Sequence, residues 1–319
     1  EFNGLLSYVW PAMVKMKARD EKYRKIREDY FTIEQGREYL RELSIDELPG
    51  LTTPETTAVM LALSFAMDMP ILFVAPAFGF QKNIPYSDND KLRAMITPIW
   101  NICEKFGVSI GFHSGSGKSA ENYQVAGDVT RSNLEIKTSG RYTYEMGVAL
   151  NHSTDSYDQK LWHDWHNFTV ELTTNGCFAE DPTERKMARA FVSLTLDEAS
   201  AEKAFSSLED CRSLLRGLEP SPDHFFWFEY NFLYVFAKEE TWDKEVLGDL
   251  SAAGYKQRQR FHAISEEGRL LYAKRVAEYI LFLAESTSLV QSEICKRART
   301  ELGGIHLFSD FLDSITRLD

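Results

Sequence analysis

One histidine, two lysines and two serines stand where this chain can do chemistry. The stretch Val108-Ser-Ile-Gly-Phe-His113-Ser-Gly-Ser-Gly-Lys118-Ser119 is an apolar run that ends in a histidine and opens into a Ser/Gly loop carrying a lysine. A second run, Leu134-Glu-Ile-Lys137-Thr-Ser-Gly140, ends in a lysine. Polar side chains at the C-terminal ends of successive βα strands are how a barrel enzyme assembles an active site. At such a position His113 suits a metal ligand or an acid/base group. Lys118 suits a clamp for a carboxylate or phosphate, since glycine-rich backbone at a helix start is itself an anion site. Lys137, at a strand end where an unpaired charge is costly, reads as catalytic or as salt-bridged to Glu135 or Glu121. Ser114 and Ser116 read as supporting donors to a substrate, with no Gly-x-Ser-x-Gly elbow to make either a nucleophile.

Two further residues join them. Lys82 follows the run Pro70–Pro76 and would share the same rim as a substrate-binding group. Glu229 sits inside the aromatic run His224–Ala237, where a carboxylate needs a partner or a raised pKa. General base, metal ligand and structural ion pair all stay open for it. His163 and His166 are spaced to share a helix face, with no third ligand in reach of the sequence pattern. A nucleotide P-loop is disfavoured: the glycine it requires would fall at Phe112, and Gly111 is one residue too early.

The 319 residues are 44% hydrophobic and 26% charged, a soluble globular profile. A net charge of -12 argues against nucleic acid or an acidic membrane as partner. It leaves a small anionic substrate open, because Lys118 and Lys137 can act locally. Four scattered cysteines without a CxxC pair suggest reduced thiols and a cytoplasmic protein. No apolar run reaches transmembrane length, and no signal-peptide pattern is present. The chain begins Glu1-Phe2-Asn3 without a methionine, consistent with a trimmed or fragmentary chain.

The elements that must position these residues alternate. Thr53-Pro54-Glu55 starts a helix running to about Met67. Pro70–Pro76 is an apolar strand, 88–106 an amphipathic helix stopped by Gly107, and the His113 strand follows at once. Residues 120–130 read as helix, the Lys137 strand comes next, and 141–151 read as helix. A short strand at 29–31 and a helix over 32–43 precede them. Residues 157–175 and 183–216 read as helical. The aromatic run reads as strand from its strong β-formers, and 258–284 as one long helix. The pattern predicts an α/β chain with a TIM-barrel-like (β/α) fold and helical additions in its C-terminal half. We read 1–319 as a single barrel-like domain with a helical insertion near 155–220. The strand candidates number fewer than eight; a barrel lacking its first strands or an open α/β sheet would account for that.

The segments Phe112-His113-Ser-Gly-Ser-Gly-Lys118 and Glu135-Ile-Lys137-Thr-Ser-Gly140 resemble the tagaturonate epimerase family, most clearly over residues 70–150. That family's pattern is a strand ending in His-Ser-Gly-Ser-Asp-Lys, then one ending in Lys-Thr-Ala-Gly. The resemblance implies a metal-dependent, TIM-barrel-like hexuronate epimerase with a divalent ion such as Zn, Ni or Mn. It carries over His113, as a metal ligand or acid/base group, together with Lys118 and Lys137. Gly117 replaces the pattern's aspartate, and Tyr272 stands where a Leu-Leu-His stretch would place histidine. Tagaturonate and fructuronate differ at a carbon β to the ketone, so simple enolisation cannot interconvert them. Retro-aldol cleavage and re-addition can. The expected function is therefore an epimerase acting on a small-molecule sugar acid, with homo-oligomerisation open. Two alternatives stand beside it: a metal-independent lyase or aldolase with Lys137 as Schiff-base residue, and a non-catalytic carbohydrate-binding protein on a degenerate barrel.

Overall fold

The computed structural model describes residues 2–81, 83–237 and 252–316. They form an α/β fold built on a parallel sheet and followed by extensive helical additions. The chain divides into two compact units, Glu1–Ser139 with Leu281–Lys296, and Gly140–Ile280 with Arg297–Asp319.

The first unit runs α1 (Phe2–Tyr30), α2 (Glu34–Arg37), β1 (Glu42–Ser44), α3 (Pro54–Ala66), β2 (Phe73–Ala75), α4 (Asn89–Phe106), β3 (Ser109–Phe112), α5 (Ala120–Thr130) and β4 (Leu134–Ile136). The strands lie in the order β1-β2-β3-β4, every pair parallel and every crossover made through a helix. This is the winding of a (β/α) barrel, whereas a doubly wound sheet reverses its order at a switch point. Among the described residues it runs to four strands.

Local signals set the boundaries. The Thr53 side chain accepts the Thr56 amide and Pro54 follows it, so α3 begins where its first-turn amides are satisfied. Asp88 caps α4 in the same way, and Gly107 ends that helix in the left-handed region with φ 66°. Ser119 and Asn122 cap α5 reciprocally.

Register decides which side chains share a face. Leu43 pairs with Val74, Val74 with Ile110 and Ile110 with Leu134. Leu43, Val74 and Ile110 are fully buried, in one core with Leu61, Leu92 and Ile96 from the helices. Side chains alternate along a strand. Glu42, Ser44, Phe73, Ala75, Ser109, Gly111 and Glu135 therefore fall on the opposite face. One face is apolar and covered, the other predominantly polar.

The second unit is helical: α6 (Ser139–His152), α7 (Ser156–Cys177), α8 (Pro182–Ser193), α9 (Glu198–Ala204), α10 (Leu208–Arg216), α11 (Phe225–Tyr230), a 3-10 turn (Asn231–Phe236), α12 (Ala252–His262), α13 (Glu266–Ser286), α14 (Ser292–Gly303) and α15 (Phe308–Thr316). The end of α13 and the start of α14 fall in the first unit, as does Ser139. Trp162, Trp165, Trp227, Phe168 and Phe226 are fully buried at the centre of the second unit. Trp227 meets Trp162 and Trp165 edge-on at 5.2 and 5.1 Å. No helix among the described residues is long and apolar enough to cross a membrane.

Several elements differ from the sequence reading. Residues expected as a strand at 29–31 finish α1 and begin a loop. The helix expected over 32–43 shrinks to α2, because Ile33 and Leu40 point to solvent at 62% and 69% exposure and serve no core. β1 takes its place. The aromatic run is not a strand: burial of Phe226 and Trp227 against α7 overrides β-propensity and makes it α11 and the 3-10 turn. The long helix over 258–284 is two helices. Ser265 breaks it by donating its hydroxyl to the buried Asp158 and accepting the Gly268 amide.

Candidate metal centre

Glu42 opens β1, His113 follows β3 and Glu135 sits in the middle of β4. One donor atom from each lies within 4.8 Å of the others. No other group of three His, Cys, Asp or Glu meets that spacing among the described residues.

The sheet brings them together by its pleat. Gly111 and His113 are two apart and share a face, and Gly111 pairs with Glu135. Glu135 reaches over Gly111: a Cβ there would lie 2.8 Å from Glu135 Oε1 and 3.3 Å from Ala75 Cβ. A glycine beside an alanine thus opens the corridor along which Glu135 approaches Glu42.

The His113 ring lies between two carboxylates. Its Nδ1 is 3.0 Å from Asp46 Oδ2, and its Nε2 is 2.9 Å from Glu42 Oε1. The Nδ1 contact has hydrogen-bond geometry, while Nε2 is sealed from solvent and makes no hydrogen bond. With Nδ1 donating to Asp46, a neutral ring turns a bare lone pair toward a carboxylate oxygen, which is repulsive unless something positive lies near both. Burial pushes the Glu135 carboxyl up to about 8, and Glu42, through a hydrogen bond and its charge, pushes the same way. Lys137 pulls Glu135 back toward ionisation.

An orphaned imidazole nitrogen facing two crowded carboxylates is a donor set for a divalent cation. One nitrogen and two oxygens suit Zn, Ni or Mn rather than a thiolate-preferring ion. Three protein ligands also leave coordination positions for substrate. Beside His113 a cleft of about 500 Å³ opens, walled by Asp46, Leu51, Phe78, Phe80 and Ser114.

The other expected residues fall in different places. Lys118 is buried, its ammonium donating to the carbonyls of Gln81 and Ser116 and lying 5.2 Å above the Phe80 ring. Burial lowers it to about 8. In this geometry it ties the loop after β2 to the loop after β3. The α5 N-terminus is already served by its own capping box, and Tyr123 accepts the Lys118 amide. Ser114 lines the cleft with φ 52°, and Ser116 is buried, its carbonyl also accepting from Asn83. Lys137 is exposed at the end of β4, so the burial penalty expected of it does not arise. Lys82 lies outside the described residues. Glu229 is half-buried on α11 of the second unit. His163 is exposed, and His166 pairs with His224 at 2.9 Å rather than with its helix neighbour.

Gly117 has φ 66°, and any side chain there would run into Asn83. The aspartate of the family pattern therefore has no room in this loop. Tyr272 is half-buried in the second unit with Tyr142 and Glu145 near it.

Sequence reasoning missed Glu42 and Asp46 altogether and named Glu135 only as an ion-pair partner. The alternation in Glu42-Leu-Ser-Ile45, polar then apolar, was the available signal. At three residues β1 is too short for periodicity to separate it from the preceding turn.

Residues 21–175 match the family model described as UxaE, tagaturonate epimerase. The matched segment contains all four strands and Glu42, Asp46, His113 and Glu135. No curated protein matches significantly. Among solved structures, the native fructuronate-tagaturonate epimerase of Cohnella laeviribosi aligns at TM-score 0.47 and 17% identity over 84% of this chain and 49% of its own. A form of that enzyme with two glycerols aligns at 0.46 and 17% over 95% and 51%. The chain spans about half the length of these structures.

Proposed function

We propose that this chain supplies the metal-binding part of a hexuronate epimerase that interconverts tagaturonate and fructuronate by retro-aldol cleavage and re-addition. The observation that carries the reading is His113 Nε2, buried without a hydrogen bond and facing Glu42. The match of residues 21–175 to the tagaturonate epimerase family supports it.

His113, Glu42 and Glu135 would hold the ion. When bound, a divalent cation supplies charge stabilisation for the oxyanion that develops when the carbon–carbon bond breaks. The chain's own residues do the rest. Lys137, solvated on the same face two residues beyond Glu135, offers a cation to the substrate carboxylate. Its exposure disfavours the Schiff-base alternative, since such lysines are activated by desolvation. Ser114 offers a hydroxyl from the cleft wall. Lys118 and Ser116 hold the loops that bound the cleft, and Lys82 is retained as a substrate contact. A base removes the β-hydroxyl proton: the bond between the α and β carbons breaks, the β carbon becomes an aldehyde, and the electron pair enters the enediolate. Rotation of the aldehyde and re-addition return the proton and invert the centre.

Incubating the chain with fructuronate and Mn, Ni or Zn, and following tagaturonate by NMR, tests the reading. Conversion that is lost in Glu135→Gln supports it. Metal-loaded protein that binds hexuronate without converting it would favour a binding protein instead.

A further inference from the structure

We infer that Asp46, braced by Ser44, is a positioning residue that fixes the tautomer and the orientation of His113, so that Nε2 is presented bare to Glu42 and Glu135. The inference rests on the metal reading above and adds to it the group that prepares the ligand.

Asp46 uses both carboxylate oxygens. Oδ1 accepts the Ser44 hydroxyl at 2.7 Å, and Oδ2 faces His113 Nδ1 at 3.0 Å. A carboxylate that accepts from Nδ1 places the ring proton there, which leaves the lone pair on Nε2. Turning the ring over by half a rotation would set carbon against Asp46, so the hydrogen bond also fixes which edge faces Glu42. An outer carboxylate on a ligating histidine orients the ring and raises its basicity.

The backbone carrying Asp46 is held as firmly as the side chain. The Ile45 amide donates to Ala75 O at 3.0 Å, extending the β1–β2 pairing one residue beyond the strand. Ile45 itself is buried in the core. The Thr52 hydroxyl accepts the Ala77 amide at 2.7 Å, and the Thr52 amide donates to Ala77 O at 3.1 Å. The loop after β1 is thus closed against the end of β2, with Asp46 between the two ties. A solvated loop carboxylate would be free to leave; this one has a fixed place beside the ring.

The test uses the whole chain and two readouts. The first is nitrogen-15 NMR of the histidine ring without metal, at alkaline pH where a free imidazole is neutral. The second is cobalt(II) titration followed by visible absorption. Wild type should carry its proton on Nδ1, and Asp46→Ala should lose that preference while remaining folded. Cobalt affinity should fall about 10- to 100-fold in Asp46→Ala, the range for loss of such a partner. It should fall less in Asp46→Asn, which keeps an acceptor oxygen. An unchanged tautomer together with unchanged cobalt binding in Asp46→Ala would overturn the inference. Wild type that binds no cobalt would instead overturn the metal reading, and the tautomer would then decide the role of Asp46 alone.

Discussion

Glu135 passes directly over Gly111, so that a single added methyl on residue 111 would meet its carboxylate at 2.8 Å. The contact links a backbone choice on β3 to the position of a ligand on β4. It explains why the third strand carries a glycine in its middle, where a glycine otherwise weakens a strand.

Gly111→Ala should therefore separate fold from site. The contacted atom is the end of a flexible side chain, so Glu135 can rotate away and the sheet can remain. We expect a folded protein with metal affinity lowered roughly tenfold, about 1.4 kcal/mol. Circular dichroism and a metal titration on the same sample check both halves. A variant that binds metal as wild type does would show that the corridor over Gly111 is not needed.

The second unit should be acid-sensitive through His166. Burial lowers its pKa from 6.5 to about 3, with His224 and then His163 adding to the shift. A histidine kept neutral in the fold contributes stability that is present above 6.5 and lost as pH falls from there toward about 3. The slope is at most about 1.4 kcal/mol per pH unit for this one group. Urea unfolding across that window should show the loss, and His166→Asn should flatten it. An identical acid limb in that variant would assign the sensitivity elsewhere.

Asn122 is buried and serves the Tyr86 backbone twice, accepting its amide at 2.8 Å and donating to its carbonyl at 3.0 Å. It also donates to Asn89 Oδ1 at 2.7 Å. Asn122→Ala strands these groups, at about 1–3 kcal/mol for a buried unsatisfied polar group. Proteolysis of the loop after β2 should accelerate in step. Unchanged cleavage and unchanged stability would mean that water replaces the amide without cost.

Gly147 lies in α6, where alanine would ordinarily favour the helix by up to about 1 kcal/mol. Here a Cβ would sit 2.5 Å from Trp227 Cη2 and 3.2 Å from Trp162 Cζ3. Overpacking of this kind costs about 1–3 kcal/mol, so Gly147→Ala should lower the denaturation midpoint. A raised midpoint would show that the tryptophans can repack.

The sequence made parts of this molecule legible for physical reasons. Gly107 and the apolar run after it marked β3, and Thr53-Pro54 marked α3, because caps and stops act within a few residues. His113 stood out because a strand end followed by glycine and serine is where barrels place function. Glu42 did not stand out: its strand has three residues, and its role depends on register with β2 and β3. Asp46 matters only because the chain folds it back against His113, 67 positions away. The aromatic run was misread because propensity describes a half-buried pleat, whereas these rings fill a helical core. Lys118 was legible as a special lysine, but its partners, the carbonyls of Gln81 and Ser116, are backbone groups that no residue pattern reveals.

The most direct measurement is metal content per chain after equilibration with Zn, Ni or Mn and removal of excess, for wild type, His113→Ala and Glu135→Gln. The account predicts about one equivalent in wild type and a large loss in both variants, each of which stays folded. Wild type without metal, or metal retained in both variants, would contradict it.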